Sequence, residues 1–170
     1  MKSPDAVVRE WDYTNPEDRN AIGMLINAYI ADEMGGGELL TPPQQSRLAE
    51  ALHQRQKSIV LLACIGEIRC GLLVAFENFS TFTVCPMINI HDIIVLKEYR
   101  GKHAGRHLLE AITGIAKDRK CSRITLEVRK DNPVAKHLYK SMGFDAPLPE
   151  MYYWRKNLPV NTLRIMPNRV

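Results

Sequence analysis

The segment from residue 87 to residue 128 limits the fold of this chain more than any other. The stretch "MINIHDIIVL" at 87–96 is rich in β-branched residues and predicts a strand, and "SRITLEV" at 122–128 predicts a second one. Between them, apolar residues recur at helical spacing over 104–118. A strand, helix and strand of this length form a βαβ unit, whose strands run parallel with a right-handed crossover. The sequence therefore predicts a mixed α/β sheet.

Turn and capping residues place the other elements around this unit. Asn15 can cap a helix whose first position is Pro16, and Asn132 with Pro133 repeats the arrangement later in the chain. The triple glycine at 35–37 ends the first helix, and "TPPQQ" starts a second. Helices are thus predicted to begin at 15–18 and 41–45 and to cover part of 131–144, and strands are predicted at 58–64, 68–76 and 151–157.

The composition is typical of one soluble domain. The chain has 170 residues, of which 45% are hydrophobic and 25% charged. We expect residues 1–56 to form a helical acceptor-side part, residues 57–158 the core, and residues 159–170 a tail. The net charge of +4 comes without runs of like charge or interleaved aromatic residues. Nucleic acid is therefore not an expected partner.

Cysteine spacing and hydropathy exclude other classes of protein. Cys64, Cys70, Cys85 and Cys121 form no C-x-x-C pair, and none lies close to two histidines, so no metal site is expected. The N-terminus "MKSPDAVVREWDYT" lacks the apolar core of a signal peptide. The longest apolar run, at 59–65, is far shorter than the ~20 residues that span a bilayer. We expect a reduced, cytoplasmic protein without membrane contact.

A basic loop, "EYRGKHAGRHLLEA" at 98–111, precedes the central helix. Backbone N–H groups at a helix start lack partners in the helix and lie at the positive end of its dipole, so they attract anions. Glycine lets a ligand approach such a backbone, and Arg100, Lys102 and Arg106 add positive charge. The alternative is a glycine turn with a solvated basic rim. The GK[ST] of a P-loop and the GxGxxG of a dinucleotide fold are both missing from this loop.

Two motifs in order identify a family resemblance. The loop matches the pattern Q/R-x-x-G-x-G/A at Arg100 and Gly105, with His103 where glycine is usual. The second motif, N-x-x-A-x-x-L-Y-x-x-x-G-F, is matched at Asn132, Ala135, Leu138, Tyr139, Gly143 and Phe144. Over residues 57–158 the chain therefore resembles the GNAT superfamily of N-acetyltransferases, and the resemblance implies a mixed, mostly antiparallel central sheet, a parallel βαβ unit at the coenzyme site and helices on both faces.

The resemblance implies that acetyl-CoA is the co-substrate, and the cysteine and histidine spacing gives no reason to expect a metal. The resemblance places the pantetheine arm of the coenzyme beside the predicted strand at 87–96 and the pyrophosphate on the basic loop that follows this strand. His103 departs from the pattern, in which this position is usually glycine. Its Cβ restricts conformations with positive φ and crowds the ligand, so weaker coenzyme binding is expected. The coenzyme-binding residues implied are Ile93, Ile94 and Val95 for pantetheine; Arg100, Gly101, Lys102, His103, Ala104, Gly105 and Arg106 for the pyrophosphate; Asn132 at the pantetheine end; and Lys136 near the phosphates.

Two residues are candidates for the chemistry. The resemblance implies that Tyr139 donates a proton to the departing thiolate; the alternative is that its ring only packs. His91 is the candidate base, at a position where polyamine-acetylating relatives tend to carry glutamate, just before an aspartate matched by Asp92. The apolar alternation is disturbed at His91, which predicts a bulge. A histidine hydrogen-bonded within the sheet is the alternative there.

The sequence therefore predicts an N-acetyltransferase that moves an acetyl group from acetyl-CoA to a primary amine by direct attack through a tetrahedral intermediate. The oxyanion donor is expected to be a backbone N–H near Val95. The acceptor is a small molecule or a peptide, and because the family often dimerises through its C-terminal region a homodimer is a further expectation. A non-catalytic acyl-CoA-binding module is the main alternative, and a nucleotide-binding regulatory domain is a weaker one.

Overall fold

A five-stranded sheet with helices on both faces forms the protein in the computed structural model, which describes residues 5–149 and 151–158. The strand order follows the chain, β1-β2-β3-β4-β5, and every pair is antiparallel except β4 with β5. The predicted fold class and the parallel pair are confirmed. The strands are β1 (Val7–Glu10), β2 (Ser58–Ile65), β3 (Ile68–Ser80), β4 (Cys85–Val95) and β5 (Ile124–Leu126); the helices are α1 (Pro16–Ile30), α2 (Pro42–Gln54), α3 (Ala104–Asp118) and α4 (Pro133–Ser141), with a 3₁₀ turn at Lys97–Tyr99.

The two faces of the sheet carry separate apolar cores. Successive residues of a strand point to opposite faces, so Leu61 lies in the core under α3 and α4, whereas Leu62 lies in the core under α1 and α2. Helix α3 contributes Leu108 and Ile112, both fully buried. Burial on both faces explains the continuous apolar runs of β2 and β3. Each fully buried aliphatic side chain of this kind contributes roughly 1.5–3 kcal/mol.

A buried ion cluster fixes α1 to the sheet. The Asp18 carboxylate is fully buried and accepts hydrogen bonds from Arg9 (2.6 and 2.8 Å), from Arg69 Nε (3.0 Å) and from the backbone N–H of Asp12 (2.9 Å). Hydrogen bonding from Arg9, the largest effect, lowers the pKa of Asp18 to about 2. Asn15 caps the helix as predicted, accepting from the N–H two positions on.

The local predictions hold for most elements and fail for two. Strand β1 was not predicted, because four residues that lie partly exposed give no clear alternation. The predicted strand at 151–157 is wrong: these residues form no strand and are exposed. A strand needs a neighbour to receive its backbone hydrogen bonds, and β5 offers only a three-residue edge. The predicted tail at 159–170 lies outside the described residues, and the division into parts stays a prediction.

Candidate active site

The strands β4 and β5 separate after three paired residues, which opens a cleft in the sheet. β5 pairs with β4 only at 88–90, whereas β3 accompanies β4 as far as Val95. Beyond residue 90, the side of β4 away from β3 therefore has no strand beside it in the described part of the chain. A small cavity of about 110 Å³ lies there, between Ile93 on one wall and Tyr139 on the other.

A bulge in β4 lies at the mouth of this cleft. Val74 and the next residue of β3 pair with Asp92 and Ile90, so His91 is the extra residue. The predicted bulge is confirmed. His91 is exposed, and its ring centroid lies 5.9 Å from that of Phe76. The bulge turns His91 and Asp92 towards the same opening, which a regular strand would not do because neighbouring side chains alternate between faces.

The three β4 residues expected beside pantetheine differ in their surroundings. Ile93 lines the cleft. Ile94 is buried in the core under α1 and α2. Val95 packs against the core under α3, and its carbonyl accepts a hydrogen bond from Arg100 Nε at 3.1 Å. That carbonyl already has a partner, so it is less available to a ligand than the backbone of Ile93.

The loop before α3 forms a row of backbone N–H groups. Gly101 has φ +74° and His103 has φ +58°, both left-handed. Successive N–H groups in such conformations form an anion-binding concavity, and the first N–H groups of α3 extend it. Residues 101–106 donate no backbone hydrogen bond within the described chain, whereas the N–H of Arg100 bonds to Lys97 at 3.3 Å. His103 therefore adopts the conformation that glycine would take, despite its Cβ.

Gly105 has a different role from Gly101. A Cβ added to Gly105 would lie 3.3 Å from Leu138 Cδ2 and 3.8 Å from Val95 Cγ2, whereas one added to Gly101 would meet nothing within 4 Å. Gly105 thus allows α3 to approach α4 closely, and Gly101 allows the left-handed turn.

The basic side chains of this region have partners inside the protein. Arg100 bonds to Asp32 at 2.7 Å, and Arg106 bonds to Ser141 at 2.9 Å. Lys102 is half-buried, and its ammonium nitrogen lies 4.9 Å from the centre of the Tyr99 ring. Backbone N–H groups therefore contribute more directly to an anion site here than the two arginine side chains do.

The second motif forms α4 as expected. Asn132 caps the helix, because its side-chain oxygen accepts a hydrogen bond from the N–H of Ala135 at 3.0 Å. Its side chain also lines the cleft. Lys136 donates to the Lys130 carbonyl at 3.3 Å, so its ammonium group is held over the loop that precedes the helix.

Tyr139 lies one helical turn after Ala135, with its ring in the core and its hydroxyl at the cleft. The residue is 8% exposed, and burial raises the pKa of Tyr139 to about 12, with a smaller effect from Tyr29. Every fully buried side-chain nitrogen or oxygen of the described residues has a hydrogen-bond partner. The Tyr139 hydroxyl makes no hydrogen bond to these residues, so it is not fully buried. The hydroxyl is therefore reached from the cleft.

A larger cavity of about 550 Å³ adjoins the cleft on the side of α1 and α2. The two cavities share Tyr29, Met34, His91, Asp92 and Arg129. They meet at the bulge, so a group bound in the larger cavity can reach a group bound in the cleft.

Asp92 is the residue that sequence reasoning left without a role. Burial raises the pKa of the Asp92 carboxyl above its ordinary value, and the charge of neighbouring His91 opposes that shift. A partly buried carboxylate with a raised pKa is a better proton acceptor than an exposed one. Tyr29 and Arg129 were also missed, because their positions in the sequence carry no signal that they line a cavity.

The acidic residues around the triple glycine do not contribute to the larger cavity. Asp32 accepts hydrogen bonds from Arg100 and from the N–H of Met34 at 3.0 Å. Glu33 and Glu38 are exposed and absent from its walls. Of these carboxylates, Asp32 thus has a structural role, linking the α1–α2 connection to the loop before α3.

A family comparison agrees with this geometry. The model of the acetyltransferase (GNAT) family matches residues 25–144, from α1 to the end of the second motif. The chain belongs to the GNAT family of acetyltransferases. The family uses acetyl-CoA as its co-substrate, and the loop, the cleft and Tyr139 of this GNAT protein lie within the matched range.

Curated relatives share parts of the sequence. The chain is 38% identical over 78 residues to a thialysine N-ε-acetyltransferase of Sus scrofa, covering 46% of this chain and 45% of that protein. It is 32% identical over 103 residues to the N-α-acetyltransferase RimI of Mycobacterium tuberculosis, covering 59% and 63%. A streptothricin acetyltransferase of Streptomyces lavendulae is 35% identical over 74 residues, covering 44% and 39%. The chain thus spans less than two thirds of these relatives.

Solved structures show the same fold at low identity. A probable acetyltransferase superimposes with a TM-score of 0.71 at 23% identity, covering 92% of this chain and 98% of that one. An aminoglycoside acetyltransferase from a soil metagenome, in complex with sisomicin, has a TM-score of 0.71 at 14% identity, covering 89% and 97%. These neighbours support the GNAT fold of this protein. Separately, no helix among the described residues is long and apolar enough to cross a membrane.

Proposed function

We propose that this protein is an acetyl-CoA-dependent N-acetyltransferase that acetylates a primary amine by direct attack, without a covalent enzyme intermediate. One observation carries the proposal: the cleft between β4 and β5 meets the larger cavity at the bulge that holds His91 and Asp92. Such an arrangement allows two substrates to meet beside ionisable groups, which direct transfer requires.

The residues of the cleft fit the coenzyme. The N–H row of residues 101–106 suits the pyrophosphate, because its donors have no other partner in the described chain. Lys102, whose ammonium nitrogen lies over the Tyr99 ring, adds positive charge beside this row, while Ile93 and Asn132 line the cleft where the pantetheine arm would run. When bound, acetyl-CoA supplies the acetyl group as an activated thioester.

Asp92 and His91 act on the amine. A primary amine enters as an ammonium ion at neutral pH and must lose a proton before it can attack. The raised pKa of Asp92 favours its acceptance of that proton, and exposed His91 can pass the proton on to solvent. His91 therefore keeps its predicted role in proton removal, now shared with its neighbour.

Tyr139 protonates the leaving sulfur. Its hydroxyl opens to the cleft and stays protonated across the whole physiological range, since its pKa is about 12. Donation to a thiolate of reference pKa about 8.5 is uphill in free energy, so Tyr139 is effective only once the negative charge has formed on sulfur in the same desolvated site.

A thiol-release assay tests this proposal. Wild-type protein is mixed with acetyl-CoA and a panel of amines, and coenzyme binding is measured in parallel by calorimetry. We expect thiol release that depends on an amine, with an acidic limb in the pH profile of kcat/KM that changes in His91→Gln and Asp92→Asn. His137→Gln, on the exposed surface of α4, is the matched control. Tight coenzyme binding without thiol release for any amine would instead support the acyl-CoA-binding module.

A further inference from the structure

The larger cavity has walls that select for an apolar ligand. Its polar or ionisable side chains are Tyr29, His91, Asp92 and Arg129, and all four lie on the side shared with the cleft. The remaining walls consist of apolar side chains and glycine. The main apolar contributors are Ile26, Ile30, Leu40, Leu48, Leu52 and Phe76.

The charge of this cavity suits one ammonium group and no more. Asp92 is the single carboxylate among its walls within the described residues, and Arg129 is a cation on the same side. Arg129 donates two hydrogen bonds to Asp131, of 2.7 and 2.9 Å. A second ammonium group would meet apolar walls or Arg129, and neither compensates for its lost hydration.

The same walls disfavour ligands with many polar groups. The hydroxyls of an aminoglycoside, or the amides of a peptide, would leave water for a surface that offers them few hydrogen-bond partners. Hydrocarbon, in contrast, gains free energy when it leaves water for this surface. A volume of about 550 Å³ lies within the range of small-molecule sites.

We infer that the acceptor is a small monoamine with an apolar body, whose nitrogen lies at Asp92 and whose hydrocarbon part lies against the walls supplied by α1, α2 and the connection between them. This inference rests on the proposed transferase function and names its substrate class. Asp92 binds the amino group of the acceptor, and the apolar walls determine which hydrocarbon part the site accepts.

A chain-length series of n-alkylamines tests the inference. From ethylamine to hexylamine, kcat/KM should rise about fourfold per added methylene, the fold-change that corresponds to ~0.8 kcal/mol for each buried CH₂. Calorimetry of the same amines with the coenzyme-A-saturated protein should show the same slope in the dissociation constant. Hexylamine should also exceed spermidine, an aminoglycoside and a peptide with a free N-terminus in kcat/KM.

Matched variants distinguish recognition of the hydrocarbon part of the amine from recognition of its amino group. Leu40→Gln makes one wall polar and should flatten the slope, while the backbone of Leu40 stays bonded to Asn27. Leu39→Gln changes the adjacent residue, which is 58% exposed and does not line the cavity, and should keep the wild-type slope. Asp92→Asn should weaken binding of every amine by a similar factor and leave the slope intact. Leu48→Gln repeats the wall test from α2.

The outcomes distinguish this inference from the proposed function. A flat slope in the wild type, or a higher kcat/KM for spermidine, the aminoglycoside or the peptide, would overturn the inference while leaving an N-acetyltransferase. Failure of all amines to release thiol from acetyl-CoA would overturn the proposed function, and this inference with it.

Discussion

Replacement of Asp18 by asparagine tests how α1, which carries part of the acceptor wall, is held against the sheet. The carboxylate is fully buried with Arg9, Arg69 and the N–H of Asp12 around it, and its pKa falls from 3.8 to about 2. A difference of that size corresponds to about 2 kcal/mol of folding free energy. Asparagine keeps the shape but not the charge. At pH 7 we therefore expect Asp18→Asn to lose about 2 kcal/mol, or roughly 4–8 °C in Tm.

The pH dependence gives the sign of the effect. Because the folded pKa of Asp18 is depressed, its stabilisation is fully present above pH of about 4 and is lost as the pH falls towards 2. Urea unfolding at pH 7 and pH 3 should show the difference between wild type and Asp18→Asn shrink to about half at the lower pH. A difference that stays constant between these pH values would refute the electrostatic reasoning.

Asp131 provides a matched control for burial. Its pKa is also lowered to about 2, by hydrogen bonding from Arg129, but its side chain is 62% exposed. Solvent screens such a pair and reduces its contribution to stability. Asp131→Asn should leave the urea midpoint unchanged at both pH values. A loss as large as that of Asp18→Asn would show that burial does not decide the strength of these pairs.

Three further predictions concern the site. Tyr139→Phe should lower kcat by about 10²-fold while coenzyme affinity by calorimetry stays the same, since the ring keeps its packing; an unchanged kcat would remove Tyr139 as the acid. Asp92→Asn should lower kcat/KM more than His91→Gln does, because Asp92 is the more buried of the two residues. If both variants kept the wild-type pH profile of kcat/KM, the base would lie elsewhere. His103→Gly should tighten coenzyme binding several-fold, because it removes the Cβ that crowds the ligand, and it should raise Tm, since a left-handed conformation costs an L-residue about 1 kcal/mol. Lys120→Gly relieves a similar φ of +55° at the far end of α3 and should raise Tm alone. Equal coenzyme affinity in both variants would mean that His103 does not hinder the ligand.

Local sequence signals determined most of the secondary structure. The glycine and proline positions, the caps and the apolar spacing predict α3 over 104–118 and α4 after Asn132, and both are confirmed. The disturbed alternation at His91 predicts the bulge in β4. The caps and the helical spacing depend on interactions between residues a few positions apart, so the sequence alone specifies them, and the bulge leaves a local mark in the alternation of apolar residues. The two spaced motifs likewise led to the GNAT family.

Tertiary structure decided which distant residues meet. The bond between Arg100 and Asp32 joins residues 68 positions apart, and it turns an apparent phosphate-binding side chain towards the α1–α2 connection. The raised pKa of Asp92 arises from burial beneath elements that the sequence does not show to be its neighbours. The expected strand at 151–157 has a suitable pattern but no long strand edge beside it. Strand pairing, burial and cavity walls depend on contacts between distant segments, and only the folded chain brings those segments together.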